Sequence, residues 1–396
     1  MNIEIPTYVS TLMEKLNAAG YESYVVGGAI RSILLGLPVH DYDLTTNALP
    51  EEMKQVFLKY HTIETGLQHG TLTVMSEHIP VEITTYRKDA EYLDHRHPDE
   101  VIFTTSIQDD CSRRDFTINA LCYNEEDGLL DFFEGKKDLE NKVIKCIGDS
   151  YQRFEEDALR ILRAIRFASQ LSFSIEDNTS KAIIDKKETL SYVSIERIHE
   201  EFTKFLEGDG FLTLLYPYRK VFSIFLPELN DMNDGWDTLI NQFKKSDSNH
   251  IIRMAILLSS SCFKDPRVIL NRLKYSNDDK RMILDMIKHK DSPIETRIDV
   301  RYVLHSLSCD FQSYFNYRES IDQTSYPHTL EIYQSILSDN DCYSLKQLDV
   351  KGEDMIALGY QGKEISEALH LLLNAVIENK VSNHKKDLIE YLQSNQ

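Results

Sequence analysis

Asp41 and Asp43 are the first residues in this chain whose types and spacing could do chemistry. The stretch from Asp41 to Thr46 reads as a strand, and residues two apart in a strand point to one face, so two carboxylates would enter one volume. Hard oxygen ligands suit Mg2+, which keeps several waters and bridges to phosphates. A pair of such ions can activate a hydroxyl nucleophile and stabilise a departing pyrophosphate. Upstream, Val26-Gly27-Gly28-Ala29-Ile30-Arg31 would carry a short strand into a helix. Gly27 and Gly28 have no side chains, so backbone N–H groups could approach a triphosphate at the helix start, and Arg31 could add a charge-assisted contact. Glu82, in Val81-Glu82-Ile83-Thr84, is a candidate third carboxylate; the alternative is an outward-facing strand residue.

Two further clusters follow. Arg113-Arg114-Asp115-Phe116-Thr117-Ile118-Asn119 sets adjacent arginines beside an aspartate. Arginine can clamp phosphate oxygens and aspartate can accept from a ribose hydroxyl, unless the group is an ion-pair cluster capping a helix. Glu156-Asp157-Ala158-Leu159-Arg160 lies on the helix expected after Ser150, where Asp157 and Arg160, three apart, would share a face. Cytosine and adenine both present an exocyclic amine donor beside a ring-nitrogen acceptor; guanine and uracil present the opposite polarity. A carboxylate and a guanidinium side by side could accept the first pair of bases and reject the second, because a mismatch strands buried polar groups. An ordinary intrahelical ion pair is the competing reading.

The elements needed to position these groups are legible. Residues 7–19 read as a helix ended by Gly20, Tyr24 to Val26 as a strand, and the next helix stops at Gly36. Pro50 opens another helix, and residues 71–76 and 80–86 form a hairpin about Glu77-His78. From about residue 141 strand signals fade. Phe154, Ala158, Leu162 and Ile165 make one apolar stripe, and Ile198, Phe202 and Phe205 another.

The chain has 396 residues and a formal net charge of −20, which disfavours non-specific grip on nucleic acid but leaves room for one basic groove. The six cysteines show no CxxC spacing, so buried reduced thiols are expected. The N-terminal segment lacks a signal-peptide core and no long apolar run is present, so a cytoplasmic location without membrane insertion is expected.

Taken jointly, the glycine pair and the DxD resemble the nucleotidyltransferases of the DNA polymerase β type. The stretches VVGGAIRSILLGLPVHDYDLTTNALPEE, HGTLTVMSEHIPVEITTYR, SRRDFTINAL, FEEDALRILRAIRFASQL and SIERIHEEFTKFL are similar to bacterial class II tRNA nucleotidyltransferases, the CCA-adding family, and the tail GEDMIALGYQGKEISEALHLLLNAVIENKVSNHKKDL looks like that family's C-terminal region. The resemblance implies an α+β head, a small mixed sheet with helices, followed by an elongated all-α neck, body and tail: residues 1–140, 141–210, 211–325 and 326–396. It implies Mg2+ on Asp41 and Asp43. It assigns nucleotide binding to Gly28, Arg31, Arg114, Asp115, Asn119, Asp157, Arg160, Arg163 and Arg166. The partners would be tRNA, CTP and ATP. Where the family usually has Asp after the arginine of GGxxR, this chain has Ser32. The loop from Arg87 to Asp99, with Asp94 and Arg96, is the candidate gate between accepting C and accepting A. Lys351, Lys363, Lys380, Lys385 and Lys386 could meet phosphates in the tail. An enzyme adding only CC or only A, a poly(A) polymerase, and a catalytically silent RNA-binding module are the alternatives, and association between copies is left open.

Overall fold

The computed structural model describes residues 3–89, 101–232 and 235–394. The chain forms two compact units, Met1–Asp231 and Met232–Gln396.

In the first unit, helix α1 (Thr7–Ala18) buries Val9, Leu12, Met13 and Leu16, one stripe at helical spacing, and Gly20 follows it at positive φ. Strand β1 (Ser23–Val26) leads into α2 (Gly28–Leu34), and β2 (Asp43–Thr46) into α3 (Pro50–Val56). Then come β3 (Thr62–Ile63), β4 (Thr71–Ser76) and β5 (Ile79–Thr85). The hairpin between the last two turns on Glu77 (φ 52) and His78 (φ 67), the paired positive φ of a two-residue turn. A short antiparallel ribbon joins β6 (Arg87–Asp89) to β7 (Val101–Phe103), ahead of α4 (Ile107–Ser112), β8 (Cys122–Asn124) and β9 (Gly128–Leu130). The main sheet is mixed, in the order β3-β4-β5-β2-β1-β8-β9, with β2 parallel to β5 and antiparallel to β1.

The two faces of that sheet do different things. Val25, Leu44, Val81, Ile83, Leu72 and Val74 are all buried, and α1 packs on β1, β4 and α3. Register places Tyr24 opposite Thr45, Val26 opposite Asp43, and Asp43 beside Glu82, so these share the other face. There a second core, with Tyr24, Val26, Tyr86, Cys111, Cys122 and Ile147, leaves Asp43 and Glu82 exposed.

The strand expected from Asp41 starts at Asp43 instead. Its ladder with β1 ends at Val26↔Asp43, where β1 gives way to Gly27, so Asp41 and Tyr42 lie beyond the end of β1, although β5 on the other side runs on to Ile79. Strand alternation therefore does not align the two aspartates.

Beyond the sheet lie α5 (Gly135–Glu140), α6 (Ser150–Glu156), α7 (Leu159–Leu171), α8 (Asp177–Lys186) and α9 (Ile195–Glu207), with a parallel ribbon of β10 (Val143–Ile144) and β11 (Ser174–Ile175) that sequence patterning had not indicated. Two-residue strands are too short to show a period. The expected single helix after Ser150 is broken: Asp157 takes φ −139, ψ 104 between α6 and α7. Every residue of the two apolar stripes is buried. Phe202 and Phe205 join Phe222 and Phe225 with ring centroids 4.8 Å (Phe205–Phe222) and 5.2 Å (Phe202–Phe225) apart. Burying each such ring contributes roughly 2 kcal/mol. Gly208 lets the end of α9 meet α7, since a Cβ there would fall 2.1 Å from Ser169 Oγ.

The second unit runs in helices from Trp236–Phe243 to Lys385–Ser394, with no strand among the described residues. Its C-terminal core gathers Leu348, Met355, Leu372, Leu373, Ile377 and Leu388. No helix among the described residues is long and apolar enough to cross a membrane.

Candidate active site

Gly27 sits at φ 67, ψ −123, a backbone conformation that side chains resist. A Cβ there would lie 3.3 Å from Arg114 Nη1, so the glycine also makes room for that guanidinium. The Arg114 side chain therefore stands directly beside the strand-to-helix turn, and its charge is felt by Asp43.

Asp41 and Asp43 are both exposed, and Glu82 stands beside Asp43 in register. The Asp43 carboxyl lies above its ordinary value, because the surrounding protein strips water from it and Glu82 and Asp41 repel its charge, against the opposing pull of Arg114. Crowded hard oxygens of this kind suit a divalent cation. Among the described residues no three His, Cys, Asp or Glu side chains form a ready metal cluster. Asp41 and Asp43 are the residues that could hold such a cation.

The tandem arginines are not a surface cluster. Ser106 caps α4 and Asp110 is wholly buried on it. Arg113 Nε (2.9 Å) and Arg114 Nη2 (3.2 Å) both donate to the Asp110 carboxylate. Burial alone would raise that carboxyl, but the two guanidiniums outweigh it and hold it below its usual range. Asp115 is buried too. It accepts from Asn119 Nδ2 at 2.9 Å and from Arg163 Nε at 2.8 Å, and these partners overcome burial to hold it at about 2.

Arg31, Arg163 and Arg166 converge on one aromatic ring, with guanidinium carbons 4.8, 5.3 and 3.7 Å from the Phe167 centroid. Arg31 donates to Asn119 Oδ1, which orients it although Ser32 follows it. Burial, with Arg166 and Arg163 as like-charged neighbours, lowers Arg31 to about 10 in spite of Asp115. Glu201, on α9, receives Arg166 Nε at 2.6 Å and lies 3.7 Å from Arg163. Three guanidiniums thus face two carboxylates, Asp115 and Glu201, and the Nε atoms of Arg31 and Arg114 are buried without a partner. An anion with several oxygens meets the first condition; the two Nε atoms are closed to solvent and lie beyond its reach.

Asp157 and Arg160 do not pair with each other, because the helix breaks between them. Asp157 Oδ1 caps the new helix at Leu159 N (3.1 Å), and Asp157 Oδ2 takes Arg197 Nη2 at 3.1 Å. Arg160 Nη1 meets Glu156 at 2.7 Å, while its Nη2 donates to the Arg113 carbonyl at 3.0 Å. That last bond ties Arg160 to the tandem arginines. Asp94 and Arg96 lie outside the described residues.

The sequence reading passed over Asp110, Phe167, Arg197 and Glu201. The signals were present: Asp110 stands three and four residues before the two arginines, and Arg197 and Glu201 are one helical turn apart.

Family models match in three places: the poly A polymerase head domain over residues 23–145, the RNA and SrmB-binding site of polymerase A over 172–232, and tRNA nucleotidyltransferase domain 2 over 244–392. Over 405 aligned positions the chain is 34% identical to a CCA-adding enzyme of Lactobacillus gasseri, covering 99% of this chain and 98% of that one. The chain belongs to the CCA-adding enzyme family. With the CCA-adding enzyme of Lactobacillus delbrueckii subsp. bulgaricus the identity rises to 50% over 205 residues, and there the chain spans about half the length of its relative, 51% against 52% of its own. The crystal structure of the Bacillus stearothermophilus CCA-adding enzyme in complex with CTP superimposes with a TM-score of 0.83 at 26% identity, covering 99% of this chain and 98% of that chain. This family member therefore has the polymerase β-type mixed-sheet head and the helical remainder that its sequence implied.

Proposed function

We propose that this chain adds C, C and A to the 3′ end of tRNA from CTP and ATP without a nucleic-acid template, releasing pyrophosphate. The observation that carries this is the Gly27 turn, where Arg114 lies against the backbone within reach of Asp43 and the helix that opens there brings Arg31 to Arg163 and Arg166 around Phe167. It offers carboxylates on one side and under-neutralised guanidiniums on the other, as a metal-bound triphosphate requires. Asp41 and Asp43 would hold the divalent ion, Mg2+, which when bound lowers the cost of charge at the reacting phosphate. Arg114, with Arg31, Arg163 and Arg166, would bind the phosphates. Asp115, already held by Asn119 and Arg163, would fix those groups around the sugar. Asp157 and Arg160 would read the base after exchanging their present partners, Arg197 and Glu156.

We read the chain as a head (1–140), neck (141–210), body (211–325) and tail (326–396), acting in the cytoplasm. Of the tail lysines, Lys380, Lys385 and Lys386 are paired with Glu378, Asp354 and Glu390, and Lys351 donates to backbone carbonyls. These are exposed pairs, worth little in water and readily exchanged for phosphate.

Three tRNA transcripts, ending before CCA, after C and after CC, test the proposal when offered CTP, ATP, or both with Mg2+. Full CCA on the shortest transcript is expected. Extension only of the CC-ended transcript would make this an A-adding enzyme, and arrest after CC a CC-adding one. Long A tails on unrelated RNA would make it a poly(A) polymerase, and binding without turnover a silent module.

A further inference from the structure

Asp110 is 0% exposed, on the sheet face that carries Asp43. Its Oδ1 accepts from Arg113 Nε and Nη2, each at 2.9 Å, and from the Arg87 backbone N–H at 3.3 Å. Its Oδ2 accepts from Arg114 Nη2 at 3.2 Å and, at 3.3 Å, shares the one Thr45 hydroxyl proton with the Thr84 carbonyl, 3.1 Å from that hydroxyl. A buried carboxylate is tolerated only when its lone pairs are filled, and here donors come from β2, the base of the β6–β7 ribbon and both arginines. The carbonyl of Arg113 in turn accepts from Arg160 Nη2 at 3.0 Å. One carboxylate thereby fixes the guanidinium beside Gly27 and, through the Arg113 peptide, a wall against which Arg160 rests.

We propose that Asp110 is a positioning residue for base choice: by pinning Arg113 it holds the carbonyl that aims the Arg160 guanidinium. The proposal rests on Arg160 reading the base. Rejection of a wrong base depends on a donor that cannot swing to satisfy it, since only then is a polar group left stranded. Arg160 Nη1 is held by Glu156 and, at 3.2 Å, by the Arg153 carbonyl; once Glu156 has been exchanged, an Arg160 whose Nη2 is released from the Arg113 carbonyl could turn about that remaining contact onto the reversed polarity of uracil. Loosening Asp110 should therefore raise use of UTP more than it lowers use of CTP, which a purely structural carboxylate would not do.

The test uses the full chain and a tRNA transcript lacking CCA, with kcat/KM measured for CTP and for UTP and thermal unfolding followed in parallel. Asp110→Asn keeps the shape and removes the charge. Arg113→Met keeps the peptide carbonyl and the Asp110–Arg114 pair but removes the pin; it changes a side chain that is 16% exposed, so it remains informative should Asp110→Asn fail to fold. Each is expected to raise UTP use relative to CTP about tenfold, the worth of one charge-assisted hydrogen bond. Asp110→Glu, whose carboxylate is displaced by one methylene, should not restore the parent ratio. Arg160→Ala should relax the ratio as well, and adding Asp110→Asn to it should change the ratio no further. If Arg160→Ala leaves discrimination intact, the base-reading assignment fails. If Arg160→Ala relaxes it while neither Asp110→Asn nor Arg113→Met alters the ratio, including by slowing both nucleotides equally, Asp110 has no part in base choice.

Discussion

The two sides of the proposed site are built to opposite standards. On the carboxylate side, Asp41, Asp43 and Glu82 are exposed, and the main effect of Glu82 and Asp41 on Asp43 is repulsion. On the arginine side, Asp115 and Glu201 are buried and each holds Arg163, with Arg166 also on Glu201. The first side is a set of carboxylates that repel one another, as the proposed Mg2+ site requires. The second is assembled by folding, and three guanidiniums stacked about Phe167 hold their geometry before any ligand enters. Preorganised charge of that sort does not have to reorganise during reaction.

This contrast can be broken by experiment. The largest expected effect is on catalysis from the open side. Asp43→Ala should lower single-turnover nucleotide addition by about 100-fold or more, as losing one preorganised electrostatic contact does elsewhere, without changing the unfolding temperature or tRNA binding. A variant within tenfold of the parent would remove Asp43 from the chemistry.

On the arginine side the damage should appear first in stability. Glu201→Ala strands Arg166 and weakens the hold on Arg163, and breaking a buried pair from one end costs about 3 to 5 kcal/mol. Denaturant unfolding measures this; a loss near zero would mean that water already solvates the cluster.

A smaller and pH-dependent effect belongs to Asp115. Its carboxyl stands at about 2 in the fold against 3.8 when free, so the folded chain is favoured at neutral pH by on the order of 2 kcal/mol. That stabilisation is present above 3.8 and is lost as pH falls from there through about 2. Asp115→Asn should flatten the acid limb of the stability curve while leaving its slope above pH 5 alone; an unchanged limb would place the Arg163 bond outside the energetics of folding.

The smallest effect is expected at Glu82. It stands beside Asp43 in register and acts on it by repulsion, and no three-carboxylate cluster is preformed among the described residues, so Glu82→Gln should slow addition less than tenfold. A loss as large as that of Asp43→Ala would make Glu82 a full ligand.

Much of the open side was legible in the residue order. A glycine pair between strand and helix, two aspartates two apart, and a hairpin turning on Glu77-His78 are local patterns, set by backbone conformation and side-chain period. Even there, strand alternation does not align Asp41 with Asp43, because β2 begins only at Asp43. The i, i+3 spacing of Asp157 and Arg160 misled in the same way, since Asp157 caps a new helix and faces Arg197.

What the sequence by itself determined is therefore the set of chemical groups and the short elements that carry them, since periodicity, turns and caps act over a few residues. Only the tertiary structure decided the partners. Asp115 meets Arg163 across 48 positions, Arg160 meets the Arg113 carbonyl across 47, and Asp157 meets Arg197 across 40. In a chain that is 27% charged, any acid has many bases to choose from. The choice falls to whichever helices can bury their apolar stripes together, as α7 and α9 do through the bare backbone of Gly208, and the charges on those helices then take the neighbours that packing provides.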